Sequence, residues 1–270
     1  MNPELRATYR LQLHKGFTFA DAEALVPYLA SLGISHLYAS PITLAVPGST
    51  HGYDVADPTQ INPELRGEEG FERLAARLSE HGMGMLLDIV PNHMAASSHN
   101  PFWLEMLERG PECPAAKLFD VFWEKGRLLL PVLGDPLQAT LEAGQLSLRA
   151  EDSGRIVLAY ADHVFPLRPE SVAGLREAAG LSEAPAPLEP GERGKLDVAL
   201  AAADLPALLD AQHWRLAWWR TAAHDLNYRR FFNITDLVGV RVEDPEVFEL
   251  VHRLPLDLVR RGLVYGLRID

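Results

Sequence analysis

The 270-residue chain is poor in cysteine and in cationic side chains, and both shortages limit what it can do. A single cysteine, Cys113, excludes an internal disulfide, which fits a reducing compartment, and argues against a cysteine-based metal site. With 25 basic against 37 acidic residues, the formal net charge is −12. This charge argues against nucleic acid or an anionic membrane as the main partner, whereas a neutral substrate such as a sugar is compatible with it.

Long apolar runs are also missing. No window approaches the ~18–20 consecutive apolar residues of a membrane span. The first six residues lack the basic-then-apolar layout of a signal peptide. We therefore expect a soluble, cytoplasmic protein, and 47% apolar residues are enough for a sizeable core.

The first hundred residues alternate between two hydrophobic patterns. Strand-like runs at 7–13, 35–40 and 83–90 are separated by helical periodicity at 19–32 and 71–81. A loop rich in Gly, Pro, Ser and Thr is predicted between 41 and 63. Strands that alternate with helices indicate a parallel sheet with crossover connections.

The same pattern returns near residue 270. Residues 245–261 are predicted to form a helix, which Pro255 should kink or split, and residues 263–270 a buried strand. We therefore predict an α/β fold with barrel-type βα units at 1–94 and 244–270.

Between 95 and 243 the alternation is lost, which predicts a long inserted subdomain after the third parallel strand. It should contain strands at 127–133 and 155–165, a flexible connector rich in Pro and Glu at 185–194, and a long helical stretch at 196–224 that includes three tryptophans.

Three polar clusters follow predicted strands, where parallel βα proteins keep their functional groups. In the first, residues 51–58, the ring of Tyr53 can stack on a sugar and carboxylates such as Asp54 can hold hydroxyls. Taken alone, this segment is better explained as an Asp-capped turn with a packed tyrosine.

The second cluster, Asp-Ile-Val-Pro-Asn-His at 88–93, ends the third parallel strand. A buried Asp88 needs an arginine or several other donors, because an unpaired buried charge is costly. Asn92 and His93 would project into the same site, with His93 as a hydrogen-bond donor. A lone histidine after a strand is usually an ordinary loop residue, but the complete string is much less often accidental.

In the third cluster, strand alternation places Arg268 and Asp270 on the same face. An arginine in that position keeps the carboxylate ionised and oriented, as a carboxylate nucleophile requires. A structural ion pair at a strand end explains this segment equally well.

Together the clusters resemble the α-amylase superfamily, whose fold is a (β/α)8 TIM barrel with a domain inserted after the third strand. Further segments resemble the maltooligosyl trehalose synthase family within it: residues 6–13, 37–42, 47–54, 61–65 and 239–244, and Asn-Tyr-Arg-Arg-Phe-Phe-Asn at 227–233. The last segment is the best local discriminator, because ordinary amylases do not carry its Tyr-Arg-Arg-Phe-Phe core in that position. On this resemblance the chain holds about the first four βα units.

The resemblance implies a role for each matching residue. Asp270 would attack the anomeric carbon, Arg268 would orient it, and Asp88 would be a structural partner of Arg268. Substrate-binding roles would fall to Tyr53, Asp54, Asn92, His93 and Arg229. The implied reaction converts the reducing-end α-1,4 bond of a maltooligosaccharide into an α,α-1,1 trehalose linkage, by intramolecular transglycosylation with two carboxylates.

The family's acid/base glutamate follows the fifth strand and has no counterpart among the segments recognised. We therefore expect the chain to be inactive alone and to work with a C-terminal remainder of the same enzyme. No cofactor is implied, and no dense run of oxygen ligands indicates calcium. Alternatives are a hydrolytic amylase, a maltooligosyl-trehalose hydrolase, and a catalytically dead binding or scaffold subunit, although Asp270 and His93 argue against the last.

Overall fold

The computed structural model describes residues 4–182 and 187–270. Its contacts divide the chain into two compact units. Unit 1 comprises the described residues up to Pro101 together with Arg230–Asp270, and unit 2 comprises the described residues of Phe102–Arg229.

The strands are short and distributed over both units. In chain order they are β1 (Thr8–Leu11), β2 (His36–Ala39), β3 (Thr43–Ala45), β4 (Val55–Ile61), β5 (Gly84–Ile89), β6 (His93–Ala95), β7 (Leu128–Leu133), β8 (Leu146–Ala150), β9 (Ile156–Tyr160), β10 (His163–Pro166), β11 (Trp214–Trp218), β12 (Arg230–Phe231), β13 (Ile234–Gly239) and β14 (Gly266–Ile269).

The helices range from a single turn to four turns. In chain order they are α1 (Phe19–Ser31), α2 (Gly67–Glu80), α3 (Pro101–Arg109), α4 (Leu137–Glu142), α5 (Pro169–Ala178), α6 (Pro190–Ala202), α7 (Leu205–Asp210), α8 (Ala222–Asp225) and α9 (Pro245–Arg260). Single 3₁₀ turns occur at Pro63–Leu65, Pro114–Lys117, Trp123–Lys125 and Trp219–Thr221.

Unit 1 is organised around a four-stranded parallel sheet with the order β1-β2-β5-β14. The strands predicted at 7–13, 35–40, 83–90 and 263–270 are thereby confirmed. The predicted burial of the last strand is wrong, because β14 lies at the edge of the sheet and Ile269 is 64% exposed. One face of the sheet, with residues such as Leu37 and Leu87, packs on apolar residues of the helices, including Phe19 from α1, Leu74 from α2 and Leu258 from α9. The opposite face is free to carry polar side chains.

Local sequence explains where the helices of unit 1 begin and end. Thr18 and Asp21 form a capping box at the start of α1, and Asp244 caps α9 by accepting from two backbone amides. Glycines at 33 and 82, both with positive φ, follow α1 and α2. The helices predicted at 19–32, 71–81 and 245–261 are confirmed.

Pro255 lies within α9, which nevertheless runs without interruption from Pro245 to Arg260, so the expected splitting of this helix is wrong. Val251, Pro255 and Leu258 recur at spacings of four and three residues and are all buried. The proline ring therefore belongs to the apolar face, and its packing offsets the missing backbone hydrogen bond.

The predicted loop at 41–63 is wrong in part, because it contains β3 and β4, which pair antiparallel with two register shifts. Pro58 lies inside β4 and hides the strand from a pattern search, since proline normally argues against one. Asp57 is buried there, and accepts hydrogen bonds from the side chains of Thr59 and Gln60 at 2.6 Å each.

Unit 2 contains a parallel pair, β7 with β11, and an antiparallel sheet in the order β10-β9-β8. Strands at 127–133 and 155–165 are confirmed, the second as the hairpin of β9 and β10.

The helical stretch predicted at 196–224 is confirmed in α6, α7 and α8, but it is interrupted, and it is wrong at 214–218, where the chain forms β11. Asp204 caps the separate helix α7, and Trp214 and Trp218 are the first and last residues of β11. Within β11, Trp214 and Leu216 are buried and Arg215 is exposed. That alternation has the period of a strand, and pairing with β7 decides the conformation. In the predicted connector at 185–194, residues 185 and 186 lie outside the described residues, and α6 begins at Pro190 instead of a flexible segment.

Candidate active site

A row of polar side chains crosses the open face of the unit 1 sheet. Arg10 on β1 pairs in register with Tyr38 on β2, and Arg268 on β14 pairs with Asp88 on β5. Tyr38 pairs with Leu86, two residues before Asp88, so all four polar side chains point to the same face. They lie near the carboxyl ends of parallel strands, where α/β proteins place ligand sites.

Asp88 is the centre of this row, and its side chain is 0% exposed. Its Oδ2 accepts hydrogen bonds from the hydroxyls of Tyr53 at 2.5 Å and Tyr38 at 3.0 Å, and from Arg10 Nη1 at 3.2 Å. Its Oδ1 accepts from Arg268 Nη1 at 3.0 Å. The buried charge is thus compensated by two cations and two hydroxyls, as burial of a carboxylate requires.

Arg268 connects Asp88 to Asp270. The same Nη1 that binds Asp88 also donates to Asp270 Oδ1, and these two bonds, with Asp88 first, raise the pKa of Arg268 above its ordinary value. The Asp270 side chain is 19% exposed. Its backbone N–H donates to Ile89 O at 3.0 Å, and its carbonyl accepts from Asn92 Nδ2 at 3.2 Å. The structure therefore holds Asp270 through both its side chain and its backbone.

A tight turn immediately before Tyr53 positions its side chain in the site, and position 52 of this turn requires glycine. Gly52 has φ +79°, and a Cβ there would lie 2.8 Å from the carbonyl oxygen of Pro41. In the same turn, Ser49 Oγ donates to Asp54 Oδ1 at 2.5 Å and accepts from Gly52 N at 3.1 Å. Burial and the hydrogen bond to Asp88 raise the pKa of Tyr53, so its phenol stays a donor.

His93 lies in the site but is enclosed by protein. Its Nδ1 is 2.6 Å from Asn92 Oδ1, its Nε2 is 3.1 Å from Tyr53 O, and its ring stacks on Phe231 at 4.0 Å. Burial lowers the pKa of His93. The sequence predicted a histidine that offers a donor to substrate, whereas both ring nitrogens here face protein acceptors.

Arg229 is the one predicted site residue in unit 2. Its side chain is 70% exposed and forms a salt bridge with Asp120 at 2.9 Å, and its backbone N–H donates to Asp120 O. The other predicted residues, including Asn92, Tyr53 and Asp54, belong to unit 1 with Asp270.

Arg10 and Tyr38 contact Asp88 but were not predicted as site residues from the sequence. Both residues lie in segments that the sequence predicts as strands, 7–13 and 35–40. Within its own strand, each side chain lies on the polar face of the sheet. What the sequence does not contain is the register between strands, which places Arg10, Tyr38 and Asp88 within hydrogen-bonding distance.

The described residues contain neither a cluster of metal ligands nor a membrane-spanning helix. No group of three or more His, Cys, Asp or Glu side chains in 4–182 and 187–270 is arranged to hold a metal ion. Within the same ranges, no helix combines the length and apolar character needed to cross a membrane.

Comparisons with known proteins place this geometry in context. The family model of the α-amylase catalytic domain matches residues 23–127. A curated Mycobacterium tuberculosis (strain H37Rv) protein, named as a maltooligosyl trehalose synthase, is 39% identical and aligns with 98% of this chain. The solved maltooligosyltrehalose synthase of Arthrobacter ramosus is 38% identical with a TM-score of 0.78, again over 98% of this chain. The resemblance to maltooligosyl trehalose synthases is confirmed.

The resemblance has a defined extent. This chain spans 30% of the curated maltooligosyl trehalose synthase and 31% of the solved one. The alpha-amylase SusG of Bacteroides thetaiotaomicron is 40% identical, but over only 36% of this chain and 15% of its own length. At the level these matches support, the predicted α/β fold of the TIM-barrel type is confirmed.

Proposed function

We propose that this chain carries the nucleophile half of a (1→4)-α-D-glucan 1-α-D-glucosylmutase. The reaction converts the reducing-end α-1,4 bond of a maltooligosaccharide into an α,α-1,1 linkage. The observation that carries this proposal is the Asp88–Arg268–Asp270 cluster at the ends of adjacent parallel strands, in a chain that resembles maltooligosyl trehalose synthases over 98% of its length.

In the proposed mechanism the Asp270 carboxylate attacks the anomeric carbon as the glycosidic C–O bond breaks. The leaving oxygen takes a proton from a general acid. The freed glucose then attacks the glycosyl-enzyme with its own anomeric hydroxyl, and that proton returns to the same base. Retention follows from two displacements, which require two carboxyl groups about 5–5.5 Å apart. The product is an isomer of the substrate because no water enters.

The other residues predicted for the site would bind substrate or hold the backbone around it. Asp54 is partly exposed and its carboxylate can accept from sugar hydroxyls, while Asn92 and His93 fix the backbone around Asp270 and Tyr53. We propose Tyr53 as the ring beneath the reacting sugar, and Arg229 as a contact further along the chain of the substrate.

The proposal extends to the architecture and setting. We infer that β1, β2, β5 and β14 are the first four strands of an eight-stranded barrel, that residues 95–243 are an inserted subdomain, and that further polypeptide of the same enzyme completes the site. The single cysteine supports a reducing, cytoplasmic setting.

Incubation of the native protein with maltopentaose tests the reaction. A non-reducing product of unchanged mass supports the glucosylmutase, and shorter reducing sugars contradict it. Asp270→Asn should reduce turnover by several orders of magnitude, because an amide cannot form the glycosyl-enzyme. Asp257→Asn, at an exposed carboxylate of α9, is the matched control and should leave turnover unchanged.

The second candidate is an α-glucan hydrolase. It is favoured by the match of residues 23–127 to the α-amylase catalytic domain. Hydrolysis would use the same Asp270 and differ only in the acceptor, so the product of the maltopentaose reaction separates the two functions.

A further inference from the structure

We propose that Arg10 is a positioning residue, which neutralises Asp88 and thereby leaves the positive charge of Arg268 to act on Asp270. The inference rests on the proposed nucleophile role of Asp270. Neither Arg10 nor β1 carried a role in the site predicted from the sequence.

The first support is the charge balance of the cluster. Arg10 and Arg268 bring two positive charges, and Asp88 and Asp270 bring two negative ones. Arg10 binds Asp88 Oδ2 and Arg268 binds Asp88 Oδ1, so each oxygen of the buried carboxylate has its own cation. Without Arg10, Arg268 would be the one cation paired with Asp88, and the net positive charge beside Asp270 would be lost.

The second support is the way in which Arg10 is held. Its Nη2 donates to Tyr53 Oη at 3.0 Å and to Gln12 Oε1 at 3.2 Å, while its guanidinium lies 4.8 Å from the centre of the Tyr38 ring. Hydrogen bonds and a cation–π contact therefore fix a side chain that would otherwise be free to turn towards solvent.

Other charged or titratable groups also influence Asp270. His93 interacts electrostatically with both Asp270 and Asp54, and its burial favours the neutral ring. Tyr38 and Tyr53 keep their protons, since burial and the hydrogen bonds to Asp88 raise the pKa of both phenols. The permanent charges of the cluster around Asp270 are those of the two arginines, and Asp88 is the buried carboxylate that pairs with both.

The test is the acid limb of the pH profile of kcat/KM on maltopentaose, which reports ionisation of an essential carboxylate in the free enzyme. In the native protein, Arg10→Gln should move this limb upwards by about 0.5–1 pH unit, because removing a nearby cation disfavours the ionised nucleophile. The shift is modest because the Arg10 side chain is 36% exposed and solvent screens its charge.

A double variant separates charge balance from simple disruption. Arg10→Gln combined with Asp88→Asn removes one charge of each sign, so the acid limb should return towards its wild-type position. Arg10→Lys keeps the charge and should also stay near wild type. Arg6→Gln removes an equally charged but exposed residue outside the cluster and should leave the limb in place.

An acid limb that does not move in Arg10→Gln, or that moves further in the double variant, overturns the proposal. If Arg10→Gln fails to fold, Asp88→Asn decides: a downward shift supports the charge balance, and no shift overturns it. Failure of the proposed function is seen independently, as full turnover of Asp270→Asn or as hydrolytic products from the wild type.

Discussion

Gly52 offers the sharpest test of how the turn before Tyr53 is built. Alanine at this position should destabilise the protein and weaken catalysis together. Gly52 has φ +79°, a conformation that costs a residue with a Cβ roughly 1–2 kcal/mol. The new Cβ would also lie 2.8 Å from Pro41 O, a backbone atom that cannot move aside without shifting the start of the loop.

Gly33 provides a matched control, because it has φ +81° but nothing within 4 Å of its Cβ position. Gly33→Ala should lose only the conformational term, about 1–2 kcal/mol. Gly52→Ala should lose that term plus about 1–3 kcal/mol for overpacking. Both alanines restrict the unfolded chain equally, so that contribution cancels in the comparison.

Urea denaturation measures the two free energies of unfolding, and kcat/KM on maltopentaose measures the effect on the site. We expect Gly52→Ala to lose activity, since the hydrogen bond of Tyr53 to Asp88 depends on the turn, and Gly33→Ala to retain it. Equal losses of stability in the two variants would refute the clash with Pro41. Full activity in Gly52→Ala would refute the link from this turn to the site.

Three further outcomes follow from single positions. Asn227→Ala should lower the free energy of unfolding of unit 2 in urea by about 2–4 kcal/mol. The buried side-chain amide of Asn227 accepts from Leu129 N at 2.8 Å and donates to two backbone carbonyls. Gln145→Ala, which removes an exposed amide, should change the stability little. Phe232→Asn should stabilise the native protein by about 0.5–1 kcal/mol, because asparagine tolerates a positive φ better than phenylalanine does. Phe232 has φ +51° and is 83% exposed. A loss of stability would show that packing of the ring matters more than the backbone conformation. Burial lowers the pKa of His36 below 6.5. The unfolded chain therefore binds a proton more readily than the folded chain does, and stability should fall as pH drops below about 6.5. His36→Leu should weaken this pH dependence in thermal unfolding between about pH 7.5 and 5, and an unchanged slope would exclude His36 as its source.

The sequence predicted the parallel sheet well because its strands are recognisable without their partners. Residues 83–90 form a near-continuous apolar run, and α1, α2 and α9 begin with capping side chains or are followed by glycines. The strands that were missed depend on their neighbours. β11 alternates over only five residues, and β4 contains Pro58, so pairing with β7 or β3 decides each conformation.

The site was predictable only within single strands. Parity along β14 placed Arg268 with Asp270, and the need to pair a buried Asp88 pointed to an arginine. The contributions of Arg10 and Tyr38 depend on the register between β1, β2 and β5, which no local pattern contains. The sequence motif at 88–93 placed His93 in the site, but it could not show that His93 Nε2 contacts the backbone oxygen of Tyr53.

The same register bears on the identity of the second catalytic carboxyl group. Oδ2 of Asp88 accepts from three donors and Oδ1 from one, and these four donors are two guanidinium groups and two phenols. Each of these donors stabilises the ionised form, whereas a general acid must hold a proton and turn it towards the leaving oxygen. Protonating Asp88 would weaken these four bonds, because a neutral carboxyl group is a poorer acceptor than a carboxylate, and solvent does not reach this side chain. Asp88 is therefore suited to orient Arg268 and Tyr53, and the general acid of the proposed reaction has to be a different residue.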